Sequence, residues 1–181
     1  SGHTMTMSII DGLSVEHSVG IHTFFGSSDS MNYYIYSNQS LPYASGPTNM
    51  IAPFWDDLNL NNGGTIYYQN VGGDFVVQYD NVMPYSATNS GTGPFTFQVI
   101  LHPSGHITLQ YLDVSTALNS HTIGMQDGTR TIGLEVVYNA AYVHDYLAIR
   151  IGALPEWLTV DTSSGTIASG ESVDVMVGMN A

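Results

Sequence analysis

Apolar residues recur at every second position along most of this chain, in runs of roughly four to eight residues rich in Val, Ile, Tyr, Phe and Thr, separated by short clusters of Gly, Pro, Asn and Asp. A period of two puts alternate side chains on opposite faces, so the pattern predicts β-strands with one buried face. One hairpin is legible in register: Phe97, Val99 and Leu101 face Tyr111, Leu109 and Ile107 across Pro103-Ser104-Gly105, with Thr96, Gln98, Thr108 and Gln110 on the other face. A second pairs Ile66 with Tyr79 and Tyr68 with Val77 around Gly72-Gly73. Further strands are expected over residues 5–10, 15–25, 33–36, 50–55, 122–125, 133–138 and 146–151, and no segment carries the period of an amphipathic helix. The fold class this predicts is all-β, an antiparallel, jelly-roll-like β-sandwich whose core includes Trp55, Ile66, Tyr68, Val77, Tyr79, Phe97, Val99, Leu101 and Leu109.

Composition narrows the functional classes. The 181 residues suffice for one full domain and a fragment of a second. Fifteen acidic residues stand against two basic ones, Arg130 and Arg150, and no lysine, for a formal net charge of −13. Nothing neutralises phosphates or anionic headgroups, which argues against nucleic acid and membrane surfaces as partners. The absence of cysteine removes disulfides and thiolate-ligated metals. No run approaches the roughly 18 apolar residues of a membrane span. Residues 1–6, with Ser1-Gly2-His3 as a cloning remnant, are expected to lie outside the fold.

Residues 50–58 spell Met-Ile-Ala-Pro-Phe-Trp-Asp-Asp-Leu, an apolar strand closing on Trp55 and two adjacent carboxylates, followed by Thr65-Ile66-Tyr67-Tyr68 and the run from Phe75 to Val82. This ordered set resembles the core of the NIDO (nidogen-like) domain and the related β-sandwich modules of large secreted bacterial surface proteins. Asp127-Gly128-Thr129, residues 133–139, Tyr142-Val143-His144 and residues 147–150 resemble the closing strands of those bacterial modules. The resemblance implies a module over residues 7–153, secreted or at the cell surface, that contacts an extracellular protein or glycan without catalysis. From residue 154 the texture changes: Glu156-Trp157-Leu158-Thr159-Val160, Ser164-Gly165-Thr166-Ile167 and residues 173–179 resemble the opening strands of a BACON-like or other immunoglobulin-like repeat. So few strands cannot close a sandwich, and they are expected to dock on the main domain through Trp157 or to pair with a second copy of the chain through exposed edges, while the parent protein is expected to continue into a neighbouring module.

Candidate chemistry is sparse. Asp57, Asn59 and Asn61 sit at the 1, 3, 5 spacing that wraps oxygen ligands round Ca²⁺, although Asn62 replaces the glycine of an EF-hand and Tyr68 its final glutamate. The alternative is a turn in which Asp and Asn bond their own backbone. His102 and His106 are four apart, but the intervening Pro-Ser-Gly denies them the shared helical face of a zinc pair, so they are placed at a hairpin tip. No nucleophile elbow, phosphate loop or zinc-protease motif occurs, so the chain is expected not to be an enzyme, while a scattered carboxylate pair of the glycosidase type stays open. Tyr33, Tyr34, Tyr36, Tyr43 and Tyr85 lie in or near polar, loop-rich stretches and are the candidates for stacking on a ligand such as a sugar ring. The function these observations support is adhesion, interaction or spacing within a larger secreted protein, with a carbohydrate-binding module as the chief alternative.

Overall fold

The computed structural model describes residues 23–24, 36–152, 158–161, 172 and 174–179. It divides into two compact units, Ser1–Arg150 and Ile151–Ala181. In the first, strands β1 (Thr23–Phe24), β2 (Met50–Trp55), β3 (Thr65–Val71), β4 (Asp74–Val82), β5 (Phe95–Leu101), β6 (Ile107–Asp113), β7 (Thr122–Gln126), β8 (Gly133–Tyr138) and β9 (Ala148–Ile151) form two sheets. One has the order β1-β2-β7-β8 and the other β3-β4-β5-β6-β9. The registers within them are antiparallel, as the hairpin pattern predicts. In the second unit β10 (Leu158–Val160) pairs antiparallel with β11 (Val177–Met179). The strand expected over residues 5–10, most of that over 15–25, Tyr33, Tyr34, Trp157, Ile167 and Val173 lie outside the described residues.

Both hairpins take the register their alternation dictates. Phe97 faces Tyr111, Val99 faces Leu109 and Leu101 faces Ile107. Ile66 faces Tyr79 and Tyr68 faces Val77. The inward set of the second sheet packs on the first through aromatic rings: Phe54 of β2 lies 5.3 Å from Phe95 and 5.6 Å from Phe97 between centroids. The Tyr111 hydroxyl donates to the Pro53 carbonyl at 2.6 Å, tying the layers together where the buried phenol would otherwise lack a partner.

Strand β2 is buried along its whole length because it is covered on both sides. The second sheet covers Phe54, while Met50, Ala52 and Trp55 pack with Leu41 and Tyr43 from the preceding loop. Polar anchors hold that loop: Glu135 Oε2 accepts from the Leu41 amide and the Ser40 hydroxyl, and buried Gln126 donates to the Pro47 carbonyl and accepts from the Tyr43 amide.

Three sequence expectations are corrected. Tyr68 faces inward yet is 62% exposed, and Ile66 is only half-buried, because both lie on β3 at the sheet's edge, where the opposite layer does not cover them. Tyr36 lies outside any strand, and the strand expected from Tyr146 begins at Ala148, since Tyr146 has a left-handed φ of 63°. Two short helical turns, Leu60–Asn62 and α1 (Ala87–Ser90), close loops where no helix was expected; each begins at a residue, Asn59 or Ser86, whose side chain accepts from a backbone amide two positions on.

The outer face of the second sheet is mixed, with a polar row at its centre beside Val76, Ile100 and Leu112. Gln110 donates to Gln98 at 2.6 Å and Gln98 donates to Gln78 at 2.7 Å, an amide ladder across β6, β5 and β4 that points toward Tyr67 of β3, the cross-strand partner of Gln78. At the hairpin tip His102 Nδ1 lies 3.0 Å from Asp74 and Nε2 lies 2.9 Å from the Thr108 hydroxyl. The His102 amide donates to the His106 carbonyl, so these two histidines flank the tip.

Candidate functional site

The two carboxylates after Trp55 have different fates. Asp56 is buried, and its oxygens are taken by three donors: the Asp57 amide and the Ser90 hydroxyl on Oδ1, and the Ser120 hydroxyl on Oδ2, each at 2.8 Å. Burial pushes its pKa up, against the lowering effect of the hydrogen bonds to Ser90, Ser120 and Asp57 and the nearby His121. Ser120 also lies 2.8 Å from the Asn89 carbonyl, so its one hydroxyl proton faces two acceptors.

His121 is buried beside this cluster. Its Nδ1 lies 3.0 Å from the Leu118 carbonyl, which can only accept, so Nδ1 carries the proton of the neutral ring. Nε2 is a buried atom without a hydrogen-bond partner. Burial holds the imidazole below its usual pKa, and a second N–H would find no acceptor there. Although Asp, Ser and His meet in space, the carboxylate bonds the serines and the imidazole bonds a backbone carbonyl. The serine-to-histidine-to-carboxylate relay of a hydrolase is not assembled. The cluster instead joins β2, α1 and the segment leading into β7.

The loop singled out for Ca²⁺ bonds to its own backbone and to the segment after β4. Asn59 Oδ1 accepts from the Asn61 amide at 2.9 Å, the Asn59 amide donates to Met83, and the Tyr85 amide donates to the Asp57 carbonyl. Asn62 donates to the carbonyls of Pro84 and Tyr85. Asp57 is partly exposed, and burial together with the charge of Asp56 pushes its pKa up. Among the described residues no three His, Asp or Glu side chains gather as a metal set.

Of the tyrosines, Tyr43 packs on Trp55 with centroids 6.2 Å apart, Tyr36 and Tyr85 are exposed, and Tyr33 and Tyr34 lie outside the described residues. Tyr43 and Tyr85 are held by different elements, one by Gln126 and the other by the loop after β2. The sequence pattern did not single out a groove of about 480 Å³ on the second sheet, bordered by Asp80, Asn81, Thr96, Asp113, Asp145 and Tyr146. It opens where β4 bulges: Asn81 has a φ of 53° and its amide donates to the Thr96 hydroxyl. Its walls come from distant parts of the chain, and an Asp-Asn pair inside a strand was the one local signal of a bulge.

Among the described residues no helix is long and apolar enough to cross a membrane. No curated protein and no solved structure matches the chain. The pattern that defines the NIDO-related family matches residues 14–151, a span that contains both sheets, the buried Asp56 cluster and the bulged groove, and the chain therefore belongs to the NIDO-related family.

Proposed function

We propose that this chain is a non-catalytic module of a larger secreted or cell-surface protein, where it mediates contact with an extracellular protein or spaces its neighbours. The observation that carries this reading is the outer face of the second sheet, where a row of glutamines fixed by one another lies beside exposed Tyr67, Val71 and Leu112. A solvated sheet face with exposed aromatic and apolar side chains among fixed polar groups suits protein contact, whereas catalysis calls for convergent perturbed groups in a pocket. Two of the perturbed groups, Asp56 and His121, are buried, with the Asp56 carboxylate bonded to serines and His121 Nδ1 to a backbone carbonyl. Membership of the NIDO-related family supports an extracellular setting.

A carbohydrate-binding role is the second reading, favoured by the groove beside Tyr146, a ring that is 83% exposed next to several hydroxyl and carboxylate acceptors. One experiment separates the readings: the immobilised chain is tested against purified extracellular matrix proteins, a glycan array and a panel of polysaccharide substrates. Binding to a protein without turnover is expected. Glycan binding lost in Tyr146→Ala would establish the second reading, and turnover lost in His121→Phe would overturn both.

A further inference from the structure

Strand β3 is an edge built without the devices that usually protect one. It pairs with β4 over seven consecutive residues, Thr65 to Val71, with no bulge, and contains no charge and no proline. Natural edges of this length are normally blunted by lysine, proline, a bulge or a covering element, because their outward N–H and C=O groups accept another strand. Here Tyr67, Tyr68 and Val71 are all more than half exposed, and β4 is the one neighbour of β3 among the described residues.

The two faces at this edge differ in chemistry. On the inner face Tyr68 packs beside Phe75 at 6.1 Å and leaves an apolar shelf. On the outer face, Asp74 and Asp80 flank the stretch of β4 paired with β3, opposite Val71 and Thr65, with Tyr67 between them. Neither arginine is near, since Arg150 lies on β9 at the opposite edge of the same sheet and Arg130 in the turn between β7 and β8, while His102 Nδ1 at the neighbouring hairpin tip lies 3.0 Å from Asp74. With a net charge of −13, a second copy of the chain is repelled and a basic segment attracted.

We infer that the β3 edge is a docking site for an extended, amphipathic, basic segment of another protein, which adds as a strand with lysine or arginine on the outer face and apolar residues on the inner. Backbone bonds to β3 supply affinity, and the alternating side chains select the sequence. An outer-face lysine is drawn to the Tyr67 ring and to the carboxylates one strand further in. The inference rests on the interaction reading above and names its partner.

The probe is a dye-labelled eight-residue peptide of alternating lysine and valine, titrated into the full chain by fluorescence anisotropy. Saturable binding is expected, weakened at least about tenfold by high salt, by Tyr67→Lys or by Asp80→Asn, and abolished when alternate backbone amides of the peptide are N-methylated. Equal binding of a glutamate-for-lysine peptide, or indifference to N-methylation, overturns strand addition. A dimer in light scattering that Tyr67→Lys converts to monomer assigns the edge to a second copy and overturns the basic partner. No binding overturns the edge assignment alone if the chain still binds an extracellular protein in the preceding experiment, and failure of both removes the interaction reading as well.

Discussion

The imidazole of His121 lies flat on the ring of Phe54, their centroids 4.8 Å apart and their planes 18° from parallel. Phe54 in turn contacts Phe95 and Phe97 of the facing sheet, so a titratable ring forms part of the aromatic core. Such a ring packs well only while it is neutral, because a charge there would be desolvated with one N–H unbonded.

Stability should therefore fall in mild acid. The folded-state pKa of His121 lies below its ordinary 6.5, so the native state binds fewer protons than the unfolded chain in the window beneath that value. Its stabilising contribution is complete above about 6.5 and is lost as pH falls through the folded pKa. Asp56 acts in the opposite sense at lower pH: raised above 3.8, its contribution is present below that value and is lost as pH rises through the folded pKa. Thermal midpoints measured from pH 8 to 4 should begin to drop near the first window, and His121→Phe should flatten that limb. An identical pH profile in the variant would contradict the assignment.

Asp56 itself should tolerate amidation better than truncation. In Asp56→Asn the amide oxygen accepts from Ser90 and the Asp57 amide, while the amide nitrogen donates to Ser120, which keeps its bond to Asn89. That change should cost less than about 1 kcal/mol, whereas Asp56→Ala, which takes the acceptor from the buried Ser90 hydroxyl and from the Asp57 amide, should cost on the order of 3 kcal/mol. Urea denaturation of the two variants tests the order, and equal losses would mean that the carboxylate charge is required.

The exposed edge predicts a contrast between the two hairpins. Leu109→Ala removes a fully buried side chain and should cost about 3 kcal/mol, while Tyr68→Ala should change stability by less than about 0.5 kcal/mol. Equal costs would show that β3 is covered after all.

This contrast marks how far the sequence could be followed. Alternation fixed which residues of β5 and β6 face each other and which side they share, because the period of a strand is strict. It could not tell where the opposite layer ends, and so Tyr68 and Val77 looked equivalent although one is exposed and the other buried. The site was less legible. Asp56 meets Ser90 and Ser120 across 34 and 64 residues of chain, and no local pattern encodes partners that distant. The spacing of Asp57, Asn59 and Asn61 was visible, but spacing alone does not distinguish a cation loop from the turn bond that Asn59 makes to Asn61.

Calcium provides the fourth test. With Asn59 engaged as a turn cap, saturating Ca²⁺ or a chelator should leave the melting temperature of the metal-free chain unchanged, while Asn59→Ala should cost about 1 kcal/mol. A calcium-dependent rise abolished by Asp57→Ala would assign the loop to the cation instead.

The glutamine ladder has a polarity that its three members must share. Each amide offers its nitrogen to the next oxygen in one sense, from Gln110 through Gln98 to Gln78. Rotating Gln98 alone by half a turn would set nitrogen against nitrogen on one side and oxygen against oxygen on the other. The row consequently has two coherent states, all forward or all reversed. In the forward state an amide nitrogen lies beside Tyr67 and an oxygen at the far end, and reversal exchanges them. A group bound at one end of this face would thus set the hydrogen-bonding sense offered at the other, three strands away, with no movement of the backbone.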